Sequence, residues 1–357
     1  MPRLLLDKKK CLNNIQVMTG RAGQHGLSLR PHCKSHQSAE ISHWFREFGV
    51  SSITVSSFRM AQYFAKAGWK DILVAFPFQP GELGPLQDLS ADGRMSILVD
   101  SPAAIPFLNQ ISHPVDYYID VDTGYGRTGV RAENPELMEQ ILVKAAGNPQ
   151  LQFQGFYCHA GHSYKVHTQK EREAIHLKAL DDLQGLKEQF SEYGPRILYG
   201  DTPNCSTQKD FRGVDEITPG NFVFYDLVQQ ALGSCSLDEI AVALECSVAG
   251  KYNHSQQILI HGGAVHFSRE SLSINGEAVY GLLVQRSAQG WSQADSKTWL
   301  TGLSQEHGLL QNCQKLFHQV SLGDKLLFLP VHSCLTTNLA EEYWTLDGQI
   351  IKNIHAS

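Results

Sequence analysis

The stretch Tyr117-Tyr118-Ile119-Asp120-Val121 is followed by the glycine-rich Asp122-Thr123-Gly124-Tyr125-Gly126-Arg127-Thr128-Gly129, the helix-like segment 133–147, and a second apolar run, Phe153-Gln154-Gly155-Phe156-Tyr157-Cys158. This is a strand, a loop, a helix and a strand, the unit of a parallel sheet. Working outward, the same alternation predicts strands over 27–32, 53–55, 72–75, 96–99, 117–121, 153–158, 196–199 and 216–223. Helical stretches fall between them, the longest over 166–193, where Ile175, Leu177, Leu180, Leu183 and Leu186 recur near the helical period. Eight repeats of the alternation point to a (β/α)8 TIM-type barrel in the α/β class. An open doubly wound sheet is the alternative, but no GxGxxG opens its first helix. After residue 236 the texture changes to short β-branched segments broken by Gly262-Gly263, Asn275-Gly276 and Asp347-Gly348. Asn-Gly between two alternating runs is a hairpin signal. The expected organisation is a barrel over 1–236 and a mostly antiparallel β domain over 237–357.

The composition narrows the class of function. A chain of 357 residues, 42% hydrophobic and 18% charged, buries large cores, and its net charge of −6 offers no footprint for nucleic acid or an anionic membrane. No apolar run approaches the ~18 residues needed to span a bilayer. The eight cysteines contain no CxxC pair, and the first residues lack a signal-peptide core. Reduced thiols in a cytoplasmic protein acting on a small molecule are the expectation.

In a barrel of this kind chemistry sits where the strands end. Arg30-Pro31-His32-Cys33-Lys34-Ser35-His36 places a lysine between two histidines after strand one. Burying an unpaired ammonium is expensive, so a site that desolvates lysine among other cations lowers its pKa and exposes an amine suited to Schiff-base chemistry. Taken alone, the segment is equally consistent with a basic surface turn. Strand five leads to Arg127, strand six to His159 and Tyr164, and strand seven to Gly200, Asp201 and Thr202; Gly220 and Asn221 are expected within strand eight. Glycine with threonine or asparagine suits a phosphate, because backbone N–H groups approach its oxygens closely. A phosphate on loops seven and eight opposite a lysine on strand one describes a pyridoxal-phosphate site.

The segments RPHCKSH, DVDTGYGRTGV, GFYCHAGHSY, YGDTPN and EITPGNFVFYD resemble those of fold-type III pyridoxal-phosphate enzymes, the alanine-racemase-like barrels. Within them the similarity is to the branch that holds eukaryotic-type D-serine dehydratase and D-threonine aldolase. The resemblance spans nearly the whole chain. It implies that Lys34 forms the Schiff base with pyridoxal 5'-phosphate, that Arg127 contacts its phenolic oxygen, and that His159 lies against its ring. Gly200, Thr202, Gly220 and Asn221 are implied around the phosphate, with Tyr164 and Asp201 as further cofactor contacts. A head-to-tail homodimer and a D-amino acid substrate are implied as well.

One more pair stands in Pro330-Val331-His332-Ser333-Cys334. In a strand, positions i and i+2 share a face roughly 7 Å apart, close enough to grip one ion. An isolated His-x-Cys is more often a half-buried pair without a role, but the resemblance implies a catalytic divalent metal at this place. Imidazole with thiolate favours zinc, and two protein ligands leave positions for water and substrate. The expected reaction is loss of the Cα proton to Lys34 and of the β-hydroxyl, converting D-serine to pyruvate and ammonia. Cα–Cβ cleavage, the D-threonine aldolase outcome, uses the same residues and stays open. A racemase needs a second acid/base, for which Tyr252 and Tyr280 sit in no recognisable motif. Ser304-Gln305-Glu306-His307-Gly308 resembles a family segment near the metal and reads equally well as an exposed loop.

Overall fold

The computed structural model describes residues 1–287, 290–293 and 297–356. They fall into two compact units. One comprises residues 16–34 and 42–220, the other 1–15, 35–41 and the chain from Asn221 onward.

The first unit is a barrel of eight parallel strands in chain order. They are Ser28–Leu29, Ile53–Val55, Asp71–Pro77, Arg94–Val99, Val115–Asp122, Leu151–His159, Arg196–Gly200 and Glu216–Ile217. From the second onward each pairs with the next, the eighth pairs with the first, and a single parallel bridge from His32 to Thr54, beyond the end of strand one, closes the ring. The ladder reads as near-continuous apolar runs because helices cover the outer face of such a sheet. Leu73, Leu98, Tyr118, Tyr157 and Leu198, one from each of five consecutive strands, form a fully packed cluster. The covering helices start where side chains cap them: Ser57 accepts from the Met60 amide, Asn134 from Leu137, and Thr168 with Glu171 forms a capping box ahead of Gln169–Gln189.

At the N-terminal ends of the strands Arg30, 3% exposed, is held by Glu216 (2.8 Å) and Asp71 (2.7 Å). Arg94 pairs with Asp116 beside them. These ion pairs tie strands one, three, four, five and eight together at the end away from the loops that carry chemistry.

Two expectations about the strand ends change. Strand eight stops at Ile217, and Asn221–Val223 is a 3-10 turn rather than more strand. Pro219 has no N–H to extend the ladder, although its carbonyl still accepts from His32 (3.0 Å). Strand one ends at Leu29, short of the predicted His32, and Lys34 lies in the 3-10 turn Cys33–Ser35.

The second unit is built on a mostly antiparallel sheet. Val242–Tyr252 pairs with Gln257–His261 and with Lys325–Pro330, which pairs in turn with Gly281–Ser287. Asn275 and Gly276, at φ 53° and 83°, turn the hairpin between Leu272–Ile274 and Glu277–Val279 as the sequence requires. Arg3–Leu6 joins this sheet, antiparallel to Val242–Tyr252 and parallel to Glu342–Thr345. The unit is therefore not contiguous in the chain. A four-residue apolar run carries no local signal for partners some 240 and 340 residues away. Among the described residues no helix is long and apolar enough to cross a membrane.

Candidate active site

Within the barrel unit the side chains at the strand ends form one neighbourhood. His159 ends strand six, and its Nδ1 donates to the Gly200 carbonyl (2.9 Å), which leaves Nε2 without a proton in the neutral ring. Burial above all, then the charges of Lys34 and Arg127, pushes its pKa down to about 3. His159 is thus a flat, neutral ring at any physiological pH. Gly161 keeps it in place: a Cβ there would lie 2.5 Å from the Tyr125 ring and 2.9 Å from His159 Nε2. Tyr125 stacks on His162 and meets His159 edge-on, with the Arg127 guanidinium 5.0 Å and the Lys165 ammonium 5.1 Å from its ring centre. The loop is set by Asp122, whose carboxylate accepts from the amides of Gly124 (2.9 Å) and Gly126 (3.0 Å). Lys34 is exposed at the end of strand one.

Strand seven delivers a second group. Asp201 is buried and accepts from Ser163 Oγ (3.0 Å), the Asn204 amide (2.8 Å) and Asn204 Nδ2 (3.0 Å). Burial carries its pKa up to about 6 against those hydrogen bonds. Tyr164 OH accepts from the Thr202 amide at 3.4 Å, which joins loops six and seven. The Thr202 hydroxyl is buried with no partner among the described residues. At Gly200 a Cβ would come within 2.1 Å of Thr218 Oγ1, so glycine is what lets Thr218 pack against this strand end. A buried hydroxyl awaiting an acceptor, a glycine at a close approach, a neutral planar ring and an exposed amine fit the phosphate, pyridine and aldehyde of pyridoxal phosphate.

In the second unit, His332 and Cys334 do not share a strand. The strand ends at Pro330, and His332 is the residue before the helix Ser333–Leu339, with Cys334 in its first turn. The turn brings the two side chains into a hydrogen bond, so the pairing that strand geometry predicted arises by another route. Burial works against the imidazolium, yet the hydrogen bond and charge of Cys334, with Asp226 and Glu270, raise His332 to about 9. For Cys334 burial is the largest influence and raises the thiol pKa, but the hydrogen bond and charge of His332 together with the hydrogen bond to Ser35 hold the thiol below its ordinary value. Ser35 Oγ lies 3.2 Å and Asn221 Nδ2 3.3 Å from the sulfur. An acidified thiol with an imidazole is a donor set that fits a divalent ion of zinc type.

Sequence reasoning missed Ser35, Ser163 and Asp226. Asp226 closes the quoted EITPGNFVFYD segment, yet its partner Ser333 lies more than a hundred residues on. Among the described residues, His261, His266 and Glu306 form the grouping of three possible metal ligands, which draws in one residue of the 304–308 segment. The Gly263 amide donates to His266 Nδ1 (3.2 Å), so the ring proton sits on Nε2 and faces Glu306 as a donor. That nitrogen is not a ligand in this arrangement.

A closed parallel barrel with this mouth, joined to an antiparallel β unit, defines a fold-type III pyridoxal-phosphate enzyme, the alanine-racemase-like class. Residues 6–226 match the alanine racemase N-terminal domain, and the chain belongs to that family. Residues 241–346 match a serine dehydratase domain. The chain is 27% identical to D-serine dehydratase of Dictyostelium discoideum, over 99% of this chain and 95% of that protein. It is 28% identical to D-threo-3-hydroxyaspartate dehydratase of Delftia sp. strain HT23, over 98% and 95%. A solved structure of a D-threo-3-hydroxyaspartate dehydratase with a cysteine-to-alanine substitution, in its metal-free form, superposes with a TM-score of 0.91 at 27% identity, covering 99% of this chain and 97% of that one.

Proposed function

We propose that this lyase is a pyridoxal-phosphate- and zinc-dependent D-serine dehydratase, converting D-serine to pyruvate and ammonia in the cytoplasm as a homodimer. The observation that carries the reading is the His332–Cys334 pair with its acidified thiol, in a chain whose barrel mouth fits the cofactor. The dehydratase names of the two relatives and the metal-free cysteine variant of a D-threo-3-hydroxyaspartate dehydratase support it.

Bound at the mouth, the cofactor supplies an electron sink for charge developing at Cα. Lys34 carries it and takes the Cα proton at Nζ. His159 presents a neutral face that adds no competing charge, and Arg127 presents a cation. Thr202 donates its hydroxyl to the phosphate, where Gly200 and Gly220 let the backbone approach. Tyr164 and Asp201 hold that loop in shape, Tyr164 at the Thr202 amide and Asp201 as the cap of the helix Thr202–Thr207. His332 and Cys334 would hold the divalent ion, which would supply Lewis acidity toward the β-hydroxyl. On this reading the barrel unit, 16–34 and 42–220, serves the cofactor, and the second unit serves the metal.

Product analysis with D-serine and D-threonine, with and without a chelator, tests the reading. Pyruvate from D-serine, lost on chelation, is expected. Glycine and acetaldehyde from D-threonine would make the chain an aldolase, and L-isomer without either product a racemase.

A further inference from the structure

We infer that Asp226 is a positioning residue for the Cys334 thiolate, acting through the side chain of Asn221, and that this amide serves the sulfur and not the cofactor phosphate. The inference rests on the reading of His332 and Cys334 as metal ligands.

Asp226 is 1% exposed, and its carboxylate accepts four hydrogen bonds. Oδ1 takes the Gln229 amide (2.9 Å); Oδ2 takes Asn221 Nδ2 (2.6 Å), the Ser333 amide (3.0 Å) and Ser333 Oγ (3.3 Å). An ionised carboxylate only accepts, so it decides which end of the Asn221 amide faces it. The nitrogen must turn inward. One of its protons goes to Asp226, and the other points to the side where Ser333 Oγ (3.2 Å) and Cys334 Sγ (3.3 Å) lie. The amide oxygen is left buried with no partner among the described residues. That oxygen is an acceptor, as are the oxygens of a phosphate dianion, so it cannot ligate one.

The same carboxylate oxygen holds the first residue of the helix that carries Cys334. Asp226 thereby sets both the start of that helix and the donor aimed at its sulfur. By charge alone a carboxylate so close opposes a thiolate, which leaves orientation as its contribution. This is how residues behind a metal's direct ligands fix ligand geometry elsewhere, where their loss weakens metal binding by about 10- to 100-fold.

The test titrates chelator-stripped, pyridoxal-phosphate-loaded full-length chain with cobalt(II), following the thiolate-to-cobalt charge-transfer band. Wild type, Asp226→Asn, Asn221→Ala and Cys334→Ala are compared, with pyridoxal-phosphate affinity measured in parallel. Asp226→Asn and Asn221→Ala are expected to bind cobalt about 10- to 100-fold more weakly while keeping wild-type affinity for the cofactor. Cys334→Ala is expected to lose the band. Cobalt affinity unchanged in both Asp226→Asn and Asn221→Ala overturns the inference alone, as does an Asn221→Ala that loses the cofactor and keeps cobalt. Wild type that takes up no cobalt, or a band that survives in Cys334→Ala, overturns the metal reading and the inference with it. Asn221→Ala leaves the buried carboxylate in place, so the question stays decidable if Asp226→Asn fails to fold.

Discussion

Lys34 and Asp201 illustrate what single residues contribute. Lys34→Ala is expected to abolish the cofactor absorbance at the edge of the visible, a band that a retained Schiff base elsewhere would preserve. Asp201 makes a pH-dependent contribution of defined sign. Its folded pKa of about 6 stands above the unfolded value near 4, so the folded state binds its proton more tightly. The stabilisation this gives is fully present below pH ~4 and is lost as pH rises through about 6. Asp201→Asn cannot ionise and keeps no such slope. Denaturant melts of parent and variant at pH 4 and pH 7 are expected to show the difference moving in the variant's favour by on the order of 2–3 kcal/mol, set by 1.36 kcal/mol per pKa unit; a pH-independent difference would refute the raised pKa. At this scale the residues legible in the sequence are those inside compact motifs, such as Lys34 and His159. Asp226 and Ser35 were illegible because each acts on Cys334 across a separation of more than a hundred residues.

Elements were more readable than their ends. All eight barrel strands lie where apolar runs predict them, since a strand covered on both faces has a continuous signature. Strand eight was read too long because Phe222 and Val223 are apolar and buried for packing reasons unrelated to a ladder. Glycine positions separate two cases that sequence cannot. Gly155, at φ 142°, pairs with Arg196, whose carbonyl oxygen a Cβ would approach to 1.9 Å. Gly155→Ala is expected to cost about 3–5 kcal/mol in chemical unfolding, from backbone strain and steric displacement of strand seven. Gly185 lies in the helix Gln169–Gln189 with open space where a Cβ would go. Gly185→Ala is expected to stabilise by about 0.5–1 kcal/mol. Equal effects at the two positions would contradict the geometry.

For the whole molecule, closure of the barrel and closure of the ion network are linked. Arg30→Met leaves Glu216 without its partner in a buried setting, and a loss of about 3–5 kcal/mol is expected, with cofactor affinity retained. Restoration by a second change, Glu216→Gln, would identify the stranded charge as the cause; an unaltered melting temperature in Arg30→Met would refute the role. The two-unit architecture was legible as a change of texture near residue 236, although residues 221–236, on the barrel side of that change, group with the second unit. The membership of residues 1–15 was not, because Leu4–Leu6 looks like any short apolar run until its partners are known.

That placement has a consequence for how the chain is made. Arg3–Leu6 lies between Val242–Tyr252 and Glu342–Thr345 in one sheet. This strand therefore lacks one edge partner until some 240 further residues have been made, and the other until some 340 have. Through the first part of that interval a strand with two open edges is exposed, while barrel strands two to eight each meet a sequential neighbour within a few dozen residues of synthesis. A strand whose partners are so distant in the chain gains more from chaperone protection than one whose partners are local.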